Sequence, residues 1–144
     1  VTADIRPLAL AVIRRGDDIL VFEGHDVIKG ETFYRPLGGG IEFGEWAAEA
    51  LRREFREELA AELTDVEQIG VVENIFLHEG GPGHEIVFLF SAEFADPSWL
   101  AREDLGTIID EPETRVLWYP IAEFLAGKAT LYPDGLAELL ATGS

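Results

Sequence analysis

The chain has 144 residues and no cysteine, a length sufficient to close one core without disulfides or structural metal. With 28 acidic residues against nine Arg and two Lys, the formal charge is −17, and no stretch supplies the cationic stripe that a nucleic-acid polymer requires. No apolar run approaches the ~18 residues of a membrane span and no basic-then-apolar leader opens the sequence, so a soluble cytoplasmic protein without membrane or nucleic-acid partners is expected.

Residues 5–13 form an apolar run with Pro7 near its start, predicting a buried strand. A polar turn around Gly16 leads to a second strand at 19–22, which suggests a hairpin. Residues 23–31 read as a loop, and 32–37 resume extended structure that ends near Pro36. Gly38, Gly39 and Gly40 read as a turn, either merely flexible or kept bare so that backbone can approach a ligand.

A helix is predicted over residues 45–63, with Ala48, Leu51, Phe55 and Leu59 on its core side. Glu54, Glu57 and Glu58 stand at i, i+3 and i+4, so their carboxylates converge, and Ala47 and Ala50 leave open space on that face. Like charges at this spacing destabilise a helix by a few tenths of a kcal/mol per pair, and a bound cation is a plausible compensation. Oxygen-only ligands suit Mg²⁺ or Mn²⁺. Arg53 is placed to pair with a carboxylate and fix its rotamer.

Residues 66–78 and 84–94 are two long strands around a glycine-rich turn. Residues 95–113 are less regular, 115–119 form the last strand, and 121–126 a short helix. A C-terminal helix is predicted over 133–141, with Asp134 favouring its first turn. Strands interrupted by one central and two terminal helices indicate a single α/β domain over residues 1–144, an α/β sandwich with a mixed sheet. His25, His78 and His84 read as loop or surface histidines, with His84 a candidate for the edge of a cleft. Phe33, Tyr34, Phe76, Trp99, Trp118 and Tyr132 read mostly as packing, with one free to stack on a base. Arg35 suits a phosphate contact or an ion pair equally.

The stretch from Gly39 resembles the Nudix hydrolase signature, G-x5-E-x7-R-E-U-x-E-E-x-G-U with U a bulky apolar residue. Gly39, Glu45, Arg53, Glu54, Phe55, Glu57 and Glu58 fill it in register; Ala60 stands where the family has Gly, and Ala61 takes the final U. The resemblance extends to YRPLGGGIEFGE before the helix and to LWYPI at residues 117–121. It implies the Nudix fold, an α/β/α sandwich with a mixed sheet, and Mg²⁺-dependent hydrolysis of a pyrophosphate bond in a nucleoside diphosphate linked to another group, such as ADP-ribose, a nucleotide sugar, a dinucleoside polyphosphate or a modified nucleoside triphosphate. It further implies Glu57 and Glu58 as principal metal ligands and Glu54 as a ligand or the base acting on water. The Gly38 carbonyl would complete the coordination, and Arg53 and Glu45 would orient the glutamates. Glu85, Glu111 and Glu113 are alternative bases, the last two because they shortly precede the final strand. Phe76-Leu77-His78 stands where some subfamilies carry a Pro or Tyr marker and matches neither. A nucleotide-sensing module without turnover is the competing reading, disfavoured because no signature glutamate is lost. The sequence leaves the oligomeric state, monomer or homodimer, open.

Overall fold

The computed structural model describes residues 3–142. In chain order the elements are β1 (Ile5–Val12), β2 (Arg14–Arg15), β3 (Asp18–Asp26), β4 (Glu31–Arg35), β5 (Gly38–Gly40), α1 (Ala47–Leu59), β6 (Leu63–His78) and β7 (Gly81–Phe94). A 3-10 turn (Pro97–Ala101), β8 (Thr107–Ile108), β9 (Glu111–Pro120), α2 (Ile121–Leu125) and α3 (Leu136–Ala141) follow.

The apolar run at the start becomes a strand buried on both faces. Ala9, Ala11 and Ile13 join one core cluster, and Leu8, Leu10 and Val12 join the other. A strand of that kind belongs inside a sheet, between two layers. Accordingly β1 lies parallel to β7 and antiparallel to β5, in a mixed sheet of order β5-β1-β7-β6. The second sheet has the order β2-β3-β9-β8, with β4 also paired to β3, and is antiparallel throughout. The expected first hairpin is therefore confined to β2 and β3. The chain changes sheets at Ile13, whose carbonyl still accepts a hydrogen bond from the Leu20 N–H at 3.0 Å. The glycine triplet is likewise a strand rather than a turn, with Gly38, Gly39 and Gly40 registered against Leu10, Ala9 and Leu8.

Helix α1 covers one face of the assembly, where Ala50, Leu51, Phe55 and Leu59 pack with Ala9, Ala11, Phe90 and Phe94. Helices α2 and α3 cover the other through Ile121, Phe124, Leu136 and Leu140. The result is an α/β/α sandwich. Ala50 is fully buried whereas Ala48 is only half-buried, so the core face is rotated from the one expected, and Ala50 marks no open space beside the glutamates. The long hairpin runs as expected through β6 and β7, with β6 reaching back to Leu63. Glu111 and Glu113 lie within β9 rather than ahead of it, and α3 starts after Asp134, behind a Gly135 N-cap. Among the described residues no helix is long and apolar enough to cross a membrane.

The α1 boundaries have local causes. At the start Trp46 has no capping oxygen, but its N–H donates to Glu49 Oε1 at 2.9 Å, the returning half of a capping box. At the end Ala60 adopts a left-handed conformation (φ 54°, ψ 38°) that turns the chain toward β6, which is why the helix stops short of residue 63. A side chain in that conformation costs about 1–2 kcal/mol. Ala60→Gly is therefore expected to stabilise the protein by roughly 0.5–1 kcal/mol, after the added entropy of the unfolded chain is subtracted. Denaturant unfolding with an unchanged m-value checks this.

Candidate active site

The glycine strand β5, the loop after it and helix α1 meet around one guanidinium. Arg53 donates from Nε to Glu45 Oε2 at 2.8 Å and from Nη2 to Glu45 Oε1 at 3.0 Å. Nη2 also reaches the Gly40 carbonyl at 2.9 Å, and Nη1 reaches Glu57 Oε1 at 3.2 Å. Glu45 additionally accepts the Glu42 N–H at 3.0 Å. Hydrogen bonding to Arg53 first, and to that N–H second, holds the Glu45 carboxyl down at about 2.

Glu54 and Glu58 are in a different environment. Glu54 lies so close to β5 that a Cβ on Gly39 would overlap its carboxylate, so the second glycine of the triplet is bare for close approach. Burial raises the Glu54 carboxyl, Arg53 opposes the rise, and Glu57 adds to it. Glu58 is pushed up to about 8, first by burial and then by the charges of Glu54 and Glu111, with the Gly38 backbone working the other way. Its Oε1 is buried and has no hydrogen-bond partner. A buried oxygen without a donor is costly in a structural carboxylate and points to a missing positive charge.

Glu111 reaches this place because the Ile109 N–H donates to the Glu58 carbonyl at 2.8 Å, tying the β8–β9 turn to the end of α1. A cleft of about 190 Å³ is lined by Gly38, Gly39, Glu58, Glu111, Arg6 and Arg35, among others. A neighbouring groove is lined by Arg53, Glu54, Glu57, Gly40 and Arg6. Glu113 is exposed on β9 and lines neither. Glu85 borders the cleft but is engaged by Arg35, Nη2 to Oε1 at 2.5 Å, with both side chains largely buried. His84 Nε2 lies 2.9 Å from Glu73 Oε2. Tyr34 stacks on Tyr119, and Trp99 and Trp118 are in the core, whereas Phe33, Phe76 and Tyr132 border a separate cavity.

Arg6, which lines all three depressions, is absent from the sequence-based candidates. It sits in an apolar strand where only the three-dimensional pairing of β1 with β7 brings it beside Glu85. Among the described residues no three acidic or histidine side chains already surround one point, and Glu57 is engaged by Arg53. The donor set nevertheless fits a hard divalent cation: it is all oxygen, and one of those oxygens is buried and unanswered.

The NUDIX domain family model matches residues 4–141. The NAD-capped RNA hydrolase NudC of Pseudomonas entomophila (strain L48) is 33% identical over 108 residues, covering 70% of this chain and 38% of that protein. The NudC of Pseudomonas putida (strain W619) is 38% identical over 66 residues, covering 46% of this chain and 23% of the relative. The chain thus spans well under half the length of these relatives. In fold it is similar to a NUDIX hydrolase from Nitrosomonas europaea, with a TM-score of 0.64, 21% identity, and coverage of 96% of this chain and 87% of that one. It is also similar to the solution structure of the E. coli ORF135 protein, with a TM-score of 0.59, 24% identity, and coverage of 98% and 90%. The chain belongs to the NUDIX family.

The two kinds of carboxyl are shifted in opposite directions from the ordinary value, Glu45 down and Glu58 up. Between about 4.5, where an exposed Glu releases its proton, and about 8, the folded state keeps Glu58 protonated while the unfolded chain does not. The folded state binds more protons over that window, so this group's contribution to stability falls as pH rises through it. The metal-free protein is expected to lose on the order of a few kcal/mol from this group between pH 5 and pH 8. Glu58→Gln should flatten that slope and be the more stable form at pH 8, as thermal unfolding in a chelator would show.

Proposed function

We propose that this chain is a divalent-cation-dependent pyrophosphohydrolase that cleaves the P–O–P bond of a nucleoside diphosphate linked to a second group. The observation that carries the reading is the unpartnered, buried Glu58 oxygen beside Glu54 and Glu111, in a cleft bordered by Arg6 and Arg35. In this reading Glu57, Glu58, Glu54 and the Gly38 carbonyl hold Mg²⁺, or Mn²⁺ in its place. The cation would neutralise phosphate charge and acidify a water. Glu57 would leave Arg53 to join the ligands, and Arg53 with Glu45 keeps the glycine strand and the helix in register.

Glu54 is the first choice for the group that takes the proton from water, because burial raises its affinity for a proton toward the working range. Glu111 is the alternative, being at the cleft and near enough to perturb Glu58. Glu85 is less suited, since its carboxylate is held by Arg35. Arg6 and Arg35 are placed to contact phosphate oxygens, Arg6 because it borders all three depressions described above. The net charge of −17 favours a small nucleotide over a polymer as substrate, and the same charge makes a cation obligatory for an anionic ligand to settle beside the glutamates. The relatives' description as NAD-capped RNA hydrolases is consistent with pyrophosphate chemistry.

A panel of ADP-ribose, nucleotide sugars, dinucleoside polyphosphates and modified nucleoside triphosphates, assayed with Mg²⁺ or Mn²⁺, tests the reading. Hydrolysis of at least one is expected, with kcat/KM lowered about a hundredfold or more in Glu57→Gln and Glu58→Gln. Turnover by these variants at the parent rate would exclude the assignment. Tight nucleotide binding with no product over hours would favour a sensing module.

A further inference from the structure

Helix α1 covers only one end of the outer face of the mixed sheet. Its packing reaches Ala9 on β1 and Phe88 on β7, which are registered neighbours. Beyond that row Pro7 stands beside Ile86 and Glu73, Ile5 beside His84 and Ile75, and Pro82 beside Leu77. Registered residues of adjacent strands point to the same side, so these side chains make one continuous surface with Val71, the neighbour of Phe88 on β6. Ile75 is 72% exposed, Leu77 56%, Ile5 54% and Val71 50%, and Pro7 and Pro82 are exposed as well. On the opposite side of the same sheet Leu8, Leu10, Val87 and Leu89 are buried.

Charge and area both bear on what covers this surface. Among the residues just named only Glu73 and His84 are ionisable, and they meet each other, with His84 Nε2 2.9 Å from Glu73 Oε2. The chain as a whole carries a formal charge of −17. A basic partner would be drawn to the glutamate-rich faces, because long-range attraction follows charge. Two equally acidic copies, by contrast, approach with least repulsion through a face that holds a single carboxylate. The six exposed apolar side chains offer roughly 60–80 Å² each, on the order of 400 Å² together. That is about half of the ~800 Å² that each partner buries in a stable interface, and apolar groups supply a similar share of such interfaces.

We infer that this face receives a second copy of the chain, giving a two-fold dimer in which the mixed sheets pack face to face through Ile5, Val71, Ile75 and Leu77. Packed sheets lie about 10 Å apart, the thickness of a helix layer. The partner's sheet therefore occupies the level of α1 and sits beside the helix rather than on top of it. Under a two-fold axis the same patch is used twice, so the assembly closes as a dimer and leaves no further apolar face to propagate. Pairing along the free edge of β6 is the other way to use this region. It would leave Ile5 and Pro7 uncovered, because β1 lies two strands away from that edge. Ile5 and Pro7 also line the groove that holds Glu54 and Glu57, so the partner in the face-to-face arrangement stands at the border of that groove.

Sedimentation equilibrium of the full chain across micromolar concentrations, at low and at high salt, tests this. A monomer–dimer equilibrium is expected, with a dissociation constant that falls at least about threefold as salt screens the repulsion between the two acidic copies. Ile5→Glu and Ile75→Glu, each checked by circular dichroism against the parent, should both raise the dissociation constant about tenfold or more. Leu125→Glu alters an exposed leucine on α2, away from this face, and should leave it unchanged. A chain that stays monomeric at every concentration would overturn the proposal, as would a dimer that Ile75→Glu does not weaken. Weakening by Ile75→Glu but not by Ile5→Glu would replace the face-to-face dimer with pairing at the β6 edge. Equal weakening by Leu125→Glu would move the interface elsewhere.

Discussion

Arg53 joins three parts of the chain that carry the site: the carbonyl of Gly40 on the glycine strand, Glu45 in the loop, and Glu57 one turn along its own helix. A guanidinium can do this because its donors are fixed in a plane and point in several directions at once, which an ammonium cannot reproduce. It answers the charge of Glu45 and Glu57 but leaves Glu58 unanswered. The same helix and loop therefore hold one carboxyl far below its ordinary value and another far above it. One short stretch of chain thus holds similar groups in opposite environments, Glu45 paired to a guanidinium and Glu58 buried among other carboxylates.

The scaffold around this network rests on β1. Its alternating residues feed both cores, so α1 on one face and α2 with α3 on the other are positioned against a common strand. The glycine strand pairs with that same β1, and so the loop that Arg53 grips is referenced to the centre of the molecule. Burial of Phe55 and Leu51 then fixes the rotation of α1, and with it the direction in which Glu54 and Glu58 project.

The candidate site was legible in the sequence where its contacts are local. The spacing of Glu45, Arg53, Glu54, Glu57 and Glu58 along one helix and its approach loop is a one-dimensional pattern, and the contacts of Arg53 follow it. Features that depend on pairing were not legible. The triplet at Gly38 reads as a turn until β1 is available to bond it, and Ala50 reads as a gap until the helix is rotated onto its core. Arg6, Asn74 and Glu85 come from strands far apart in the chain, and their meeting depends on the parallel pairing of β1 with β7 and on the register of β6. Phe33 and Phe76 look like ordinary strand aromatics because the glycines that receive their rings belong to other strands. Helix length was overestimated at Ala60 because a left-handed alanine carries no signal comparable to glycine.

The position of Glu57 and Glu58 in the last turn of α1 has a further electrostatic consequence. Peptide dipoles along a helix sum to a partial negative charge at its C-terminal end, the end at which acidic side chains are least welcome. Side-chain and backbone fields therefore act in the same sense there, and α1 works against itself as a purely structural element. For a cation at that end the two fields would add, and the backbone of the helix would favour its binding along with the carboxylates.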